Sequence, residues 1–146
     1  MKKMKSQLNF VNFVVPKFFF EKTEVTNQES AFEIIPQAVI SRKNQQFHIN
    51  IDLEIFDAEN EFKLKMLCVG IFEYIVEDEQ LLLNFLSVNG PAIVFPYIRS
   101  FVSSFTALSG FDTITLPTLN LSSYKEELIL KIKYYWLKLS PIRIIY

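Results

Sequence analysis

Apolar and polar residues alternate most regularly between Gln46 and Asp57, with Phe47, Ile49, Ile51, Leu53 and Ile55 on one side and His48, Asn50, Asp52 and Glu54 on the other. A period of two predicts a strand with one dry and one wet face. After the polar turn Asp57-Ala58-Glu59-Asn60, the alternation resumes with Phe62, Leu64, Met66 and Cys68 against Lys63 and Lys65. Two such runs joined by a short turn predict an antiparallel hairpin over 46–57 and 61–75. Carboxylates on one wet face and lysines on the next can pair across it, at about 0–1 kcal/mol per exposed pair.

Two further strands precede the hairpin. Residues 8–21 are dense in valine and phenylalanine, with Pro16 in the middle. Proline withholds a ladder donor, so this strand is predicted to lie at a sheet edge or to bulge at Val15-Pro16. Residues 31–42 carry a second, weaker pattern that includes Pro36. Phe10, Phe13, Phe18, Phe19 and Phe20 cannot share one side of a regular strand. Aromatics on both faces of a sheet edge suit it to an extended peptide or a subunit.

The period then turns helical. Glu77-Asp78-Glu79 opens a helix over about 78–87, with Leu81, Leu82 and Phe85 as its apolar face and Gly90-Pro91 as its stop. Pro96 suits the first turn of a second helix over 95–109. Ile98, Phe101, Val102, Phe105 and Leu108 form its stripe, Arg99, Ser103 and Thr106 lie off it, and Gly110 closes it. The apolar run Phe111–Leu121 holds a proline and no helical period, which describes an extended crossover laid over a surface. Ser123 and Glu126 form a capping-box signature for a last helix over 124–138, with Leu128, Ile132, Tyr135 and Trp136 on one side. Residues 139–146, interrupted by Pro141, receive no assignment. Strands followed by helices predict an α+β fold: a four-stranded antiparallel sheet covered on one face, in a single domain spanning 1–146.

Composition adds one pressure to this picture. Fifteen phenylalanines, six tyrosines and one tryptophan among 146 residues exceed what one small core usually needs. The surplus has two outlets, a subunit interface or a surface for apolar partners. A net charge of −1 and the lack of a basic stripe argue against nucleic acid as a partner. The single cysteine, Cys68, reads as a buried free thiol, which suits a reducing cytoplasm. Three lysines precede the apolar N-terminal stretch, but Asn9, Asn12 and Lys17 interrupt it and no cleavage site follows, so it is not a secretory signal. No run of about twenty apolar residues is present, and no membrane insertion is expected.

Catalytic chemistry finds little material. His48, the single histidine, is expected on the wet face with Asn50 and Asp52, solvated and without a nucleophile to serve. Cys68 shares its face with Phe62, Leu64 and Met66, where burial disfavours the thiolate. One histidine and one cysteine build no zinc site, and Glu77-Asp78-Glu79 lacks the glycine of a calcium loop. Glycines at 70, 90 and 110 cannot cradle a phosphate. The expectation is a protein without catalytic residues, metal or cofactor.

One stretch is specific enough to compare with a known family. Phe95-Pro96-Tyr97-Ile98-Arg99, then Phe101-Val102-Ser103-Ser104, then Gly110-Phe111 and Leu116-Pro117-Thr118-Leu119-Asn120-Leu121, resembles the SecB family of export chaperones. Elsewhere the likeness rests on element order and on scattered residues such as Gly70-Ile71-Phe72. The resemblance implies a cytoplasmic, ATP-independent holdase, assembled as a dimer of dimers, that binds nonnative polypeptides in apolar grooves. By position it implies Phe10, Phe13, Phe18 and Phe20 of the first strand, Ala38 and Ile40 of the second, and Leu116 and Leu119 of the crossover as polypeptide-binding residues. It likewise implies Ile98, Phe101, Val102 and Phe105 as core and subunit interface. Implied partners are unfolded clients and either the translocation motor ATPase or an antitoxin. Among positions matching the family's motor-contacting acids only Glu21 is acidic, because Lys17, Lys63 and Lys65 are basic. The family's acidic tail is replaced by KIKYYWLKLSPIRIIY. A chaperone dedicated to one client, and an oligomer whose apolar surface is wholly used between subunits, are the competing readings.

Overall fold

The regular alternation of residues 46–57 and 62–74 forms the centre of a five-stranded sheet in the computed structural model, which describes residues 7–24, 27–118 and 121–134. The strands are β1 (Leu8–Lys22), β2 (Ala31–Ser41), β3 (Gln46–Asp57), β4 (Phe62–Tyr74) and the short β5 (Lys133–Tyr134). Their order is β1-β4-β3-β2-β5, antiparallel throughout except for β5, which pairs parallel to β2 at Val39 and Ile40. The hairpin register runs from Gln46 opposite Glu73 to Asp57 opposite Phe62. Asp57 closes its turn, accepting from the backbone N–H groups of Glu59 and Asn60 at 3.0 Å each. One of the expected cross-strand ion pairs is present, Lys65 Nζ to Glu54 at 3.5 Å, on the solvent side.

β1 is an edge strand, and it is bulged. Register shifts fall between Phe10 and Asn12 and between Val14 and Lys17, each inserting one extra residue against β4. Each insertion resets the alternation, so four of the five phenylalanines point to the same side of the sheet, contrary to the expectation for a regular strand. Phe10, Phe13, Phe18 and Phe20 pack against the helical layer, and Phe19 alone is exposed.

The helical layer differs from the pattern. The helix α1 (Glu79–Asn84) does not stop at Gly90-Pro91 but passes through a π turn, Phe85–Asn89, into α2 (Gly90–Leu108). Pro91 has no N–H for the carbonyl four residues back, and its ring would crowd that carbonyl. The wider turn, in which the Gly90 N–H reaches Phe85 O, steps around the clash. Pro96 therefore lies inside α2, with Ala92 and Pro96 both on the exposed side, where water can satisfy the freed carbonyl. Joined, Glu79–Leu108 is a 30-residue helix, long and apolar enough by length and composition to cross a membrane. Here its apolar face is spent on the sheet: Leu82, Leu86, Val94, Ile98 and Val102 are buried against it.

Gly70 of β4 sets how close the two layers come. A Cβ there would lie 2.2 Å from Val94 Cγ2, so α2 descends onto β4 only because residue 70 has no side chain. At its far end α2 stops at Gly110, whose φ of +86° suits the residue after a helix.

The predicted last helix is much shorter. A 3-10 turn at Leu121–Tyr124 leads into α3 (Lys125–Leu130), with Tyr124 at the cap position and no side-chain cap. Tyr124, and not Ser123, therefore occupies the cap position. Beyond Leu130 the chain leaves the helix, and Lys133–Tyr134 takes up hydrogen-bonding capacity on the open side of β2. Arg42 fixes this corner. It donates to both carboxylate oxygens of Glu79, at 2.7 and 2.5 Å, and lies 5.3 Å from the centre of the Tyr134 ring. Tyr135 and Trp136, expected on that helix, lie outside the described residues.

Candidate functional site

The crossover Phe111–Pro117 is held to α2 by the three polar residues that lie off its apolar stripe. Arg99 Nε donates to Leu116 O at 3.0 Å, and Ser103 Oγ donates to Ile114 O at 2.9 Å. Thr106 Oγ1 accepts from Ile114 N–H at 2.9 Å while donating to Val102 O at the same distance. Thr106 is fully buried, so its hydroxyl is committed to these bonds.

Pinned this way, the crossover stands off the ends of the strands and leaves a groove of about 530 Å³. Its floor is Phe20, Ile55 and Phe62, its walls are Phe32 and Phe56 on one side and Phe111 to Pro117 on the other. Phe20 is the hub, with ring centroids 5.8 Å from Phe62, 5.6 Å from Phe105 and 5.7 Å from Phe111. Phe32 and Phe111 at the mouth are 41% and 45% exposed, a poor arrangement for aromatic rings with nothing to cover. Lys22 borders the mouth, donating to Asn60 O at 2.8 Å with its ammonium 5.6 Å from the Phe111 ring centre. An aromatic and aliphatic lining interrupted by Lys22, Ser30, Asp57, Asn60, Asp112, Thr113 and Thr115 suits an extended chain with apolar side chains and a polar backbone.

The residues singled out from sequence divide into separate neighbourhoods. Phe20 and Leu116 reach the groove, Leu116 as a buried part of its wall. Phe18 lies next to it, edge-on to Phe101 at 5.0 Å and to Phe105 at 4.5 Å. Phe10 and Phe13 lie at the other end of α2, both against Tyr97, at 4.9 and 5.5 Å. Ala38 and Ile40 are fully buried beneath the helices and line no part of the groove. Leu119 lies outside the described residues. Ile98 and Val102 are core, whereas Phe101 and Phe105 are half-buried. Glu21 is exposed opposite Lys63 on the far side of β1.

Phe32, Phe56 and Phe111 were missed. The signal for Phe32 was present, since it continues the inward alternation of Ile34, Pro36, Ala38 and Ile40 past the point where the helices end. Of the two chemical candidates, Cys68 keeps its expected character and His48 changes. Cys68 is buried, and burial pushes its thiol well above the ordinary range. His48, expected in solvent, is 4% exposed, and burial lowers its pKa to about 4. Among the described residues no group of three or more potential ligands could hold a metal.

Comparison with known proteins agrees with this architecture. The solved structure of the Mycobacterium tuberculosis Rv1957 SecB-like chaperone, in complex with a ChAD peptide from the Rv1956 HigA1 antitoxin, superposes with a TM-score of 0.62 at 15% identity, covering 78% of this chain and 88% of that one. A Streptococcus agalactiae protein of unknown function aligns with a TM-score of 0.47 at 10% identity, over 76% of this chain and 97% of its own. In sequence, the uncharacterized protein MJ0357 of Methanocaldococcus jannaschii is 26% identical over 127 residues, 81% of this chain and 82% of that protein. The family described as preprotein translocase subunit SecB matches residues 8–128. Strands β1 to β4, the long helix and the crossover all fall within that match, and the chain belongs to the SecB family of non-enzymatic chaperones.

Proposed function

We propose that this protein is an ATP-independent holdase that takes extended apolar segments of nonnative polypeptides into the groove between the crossover and the strand ends. The observation that carries this reading is that two half-exposed aromatic residues, Phe32 and Phe111, line the same groove as Phe20 and Phe62. Contacts of this kind are non-directional, so they confer affinity without demanding a sequence. The remaining open surface of α2, including Tyr97, is the natural site for assembly into a dimer of dimers, and a cytoplasmic location in support of export follows the family.

A second reading is that the clients reduce to one, an antitoxin. It is favoured by the solved relative, which is bound to an antitoxin peptide, and by the weak acidity around Glu21, which faces Lys63. Dilution of an unfolded model client with and without the protein, in the absence of ATP, separates the readings. Suppressed aggregation at near-stoichiometric tetramer is the expected result. A folded oligomer that leaves a general client aggregating but keeps its cognate antitoxin soluble would replace the general holdase with the dedicated one. A folded oligomer that neither protects any client nor binds a hydrophobic-surface dye would leave only a structural role.

A further inference from the structure

The three polar residues of α2 use only one edge of the crossover. Ile114 C=O accepts from Ser103 Oγ and Ile114 N–H donates to Thr106 Oγ1, each at 2.9 Å, and Leu116 C=O accepts from Arg99 Nε at 3.0 Å. Side-chain burial follows the same period of two: Ile114 and Leu116 pack against the core, while Thr113, Thr115 and Pro117 are exposed. That period is the mark of an extended chain, in which neighbouring residues turn their N–H and C=O groups to opposite edges. Thr113 and Thr115 therefore turn theirs away from α2, and both residues line the groove. Among the described residues nothing bonds to the main-chain groups of either.

We infer that this edge of the crossover, Thr113 and Thr115, is a template on which a client lays its own backbone as an added β-strand. The inference rests on the reading of the groove as the client site, and it names what the client must bring. In the empty groove water serves the exposed N–H and C=O groups. A hydrocarbon ligand filling the groove would strip that water and leave them without partners, whereas a polypeptide backbone replaces it group for group. Thr113 and Thr115 lie about 7 Å apart along an extended chain, which is the spacing of client residues two apart. The aromatic and aliphatic lining receives the client's side chains and asks for no particular sequence. Pro117, next in the same phase, has no N–H and ends the template. A ladder this short holds one client strand without offering a long open edge to other chains. The site is thus tolerant of side chains and selective for an unbroken run of secondary amides, so a proline within the bound segment is what it rejects.

The test uses the full chain and a labelled, acetylated and amidated peptide KTFTLTK, with binding followed by fluorescence anisotropy. Two variants of the peptide carry backbone N-methyl groups, one on Phe and Leu, the other on the two threonines that flank Leu. One phase faces the crossover and the other does not, so one variant should bind about tenfold more weakly and the other within about twofold of the parent. Amide exchange at Thr113 and Thr115 should slow when the unmethylated peptide is added. Thr115→Pro, which removes one donor at an already extended position, should weaken the peptide several-fold. Should that variant fail to fold, the exchange measurement on the unaltered chain stands in its place. The double substitution Phe32→Ser and Phe111→Ser separates this inference from the reading beneath it. If it leaves the peptide's affinity unchanged, the groove is not the client site and both fall. If it weakens the peptide, yet both methylated variants bind alike and exchange at Thr113 and Thr115 is unmoved, the groove stands and the backbone template is overturned.

Discussion

At the scale of single residues, Gly70 and His48 carry the sharpest consequences. Replacing Gly70 with alanine pushes a methyl into Val94, which is itself fully buried and cannot retreat. The expected loss is about 1–3 kcal/mol of unfolding free energy, read as a lower urea midpoint, and the double substitution Gly70→Ala with Val94→Ala should recover part of it. His48 acts through protonation. Its folded pKa of about 4 lies below the unfolded value near 6.5, so the folded form resists taking up the proton. Its contribution is fully present above about pH 6.5, declines as the pH falls, and is gone below about pH 4, for a total of at most about 3 kcal/mol. Carboxylates such as Glu79, held low by its hydrogen bond from Arg42, also lose stabilisation in acid. The part due to His48 is therefore the difference from His48→Gln, measured by urea titration from pH 7 to pH 4. A difference that stays flat over this interval would show that His48 is solvated.

At the scale of elements, the crossover and α2 behave as one unit because Thr106 bonds in both directions. Thr106→Val keeps the shape and removes both bonds, leaving Ile114 N–H without its acceptor. A loss of about 1–2 kcal/mol is expected, with faster hydrogen exchange at Ile114 as the local readout. The sequence disclosed these elements unevenly. β3 and β4 were plain because one buried face imposes a period of two. The continuous helix was hidden because Gly90-Pro91 reads locally as a stop, and a π turn leaves no periodic signature. α3 was overextended because its apolar spacing continues past Leu130, while what ends it is pairing at the edge of β2, a contact distant in sequence. The partners of Arg99, Ser103 and Thr106 were invisible for the same reason, although their polarity marked where α2 turns away from the sheet.

At the scale of the whole molecule, the groove lies between the crossover, held to α2 by Arg99, Ser103 and Thr106, and the ends of the strands. Its rim residues should therefore affect binding more than folding. The double substitution Phe32→Ser and Phe111→Ser is expected to weaken suppression of client aggregation several-fold with little change in thermal midpoint, while either single change does much less, since many weak contacts share the affinity. Unchanged suppression by the double variant would move the binding surface elsewhere. The legible part of this site was its composition: too many phenylalanines for one core. Which of them gather was not legible, because two bulges in β1 decide that.

Those bulges also make β1 a strand with two residues to spare. Deletions inside strands are ordinarily ruinous, since every later side chain changes face. Removing Val11 or Pro16 should instead leave a regular ladder with Phe10, Phe13, Phe18 and Phe20 still facing inward, whereas removing Phe19 turns Phe20 outward. A chain shortened at Val11 and Pro16 would then fold and yet present a long, straight, unpaired border to its neighbours. Heated side by side in a light-scattering cell, it should clump before the intact protein does. The irregularity of β1 is in this sense a safeguard: it keeps a protein that handles sticky chains from becoming one.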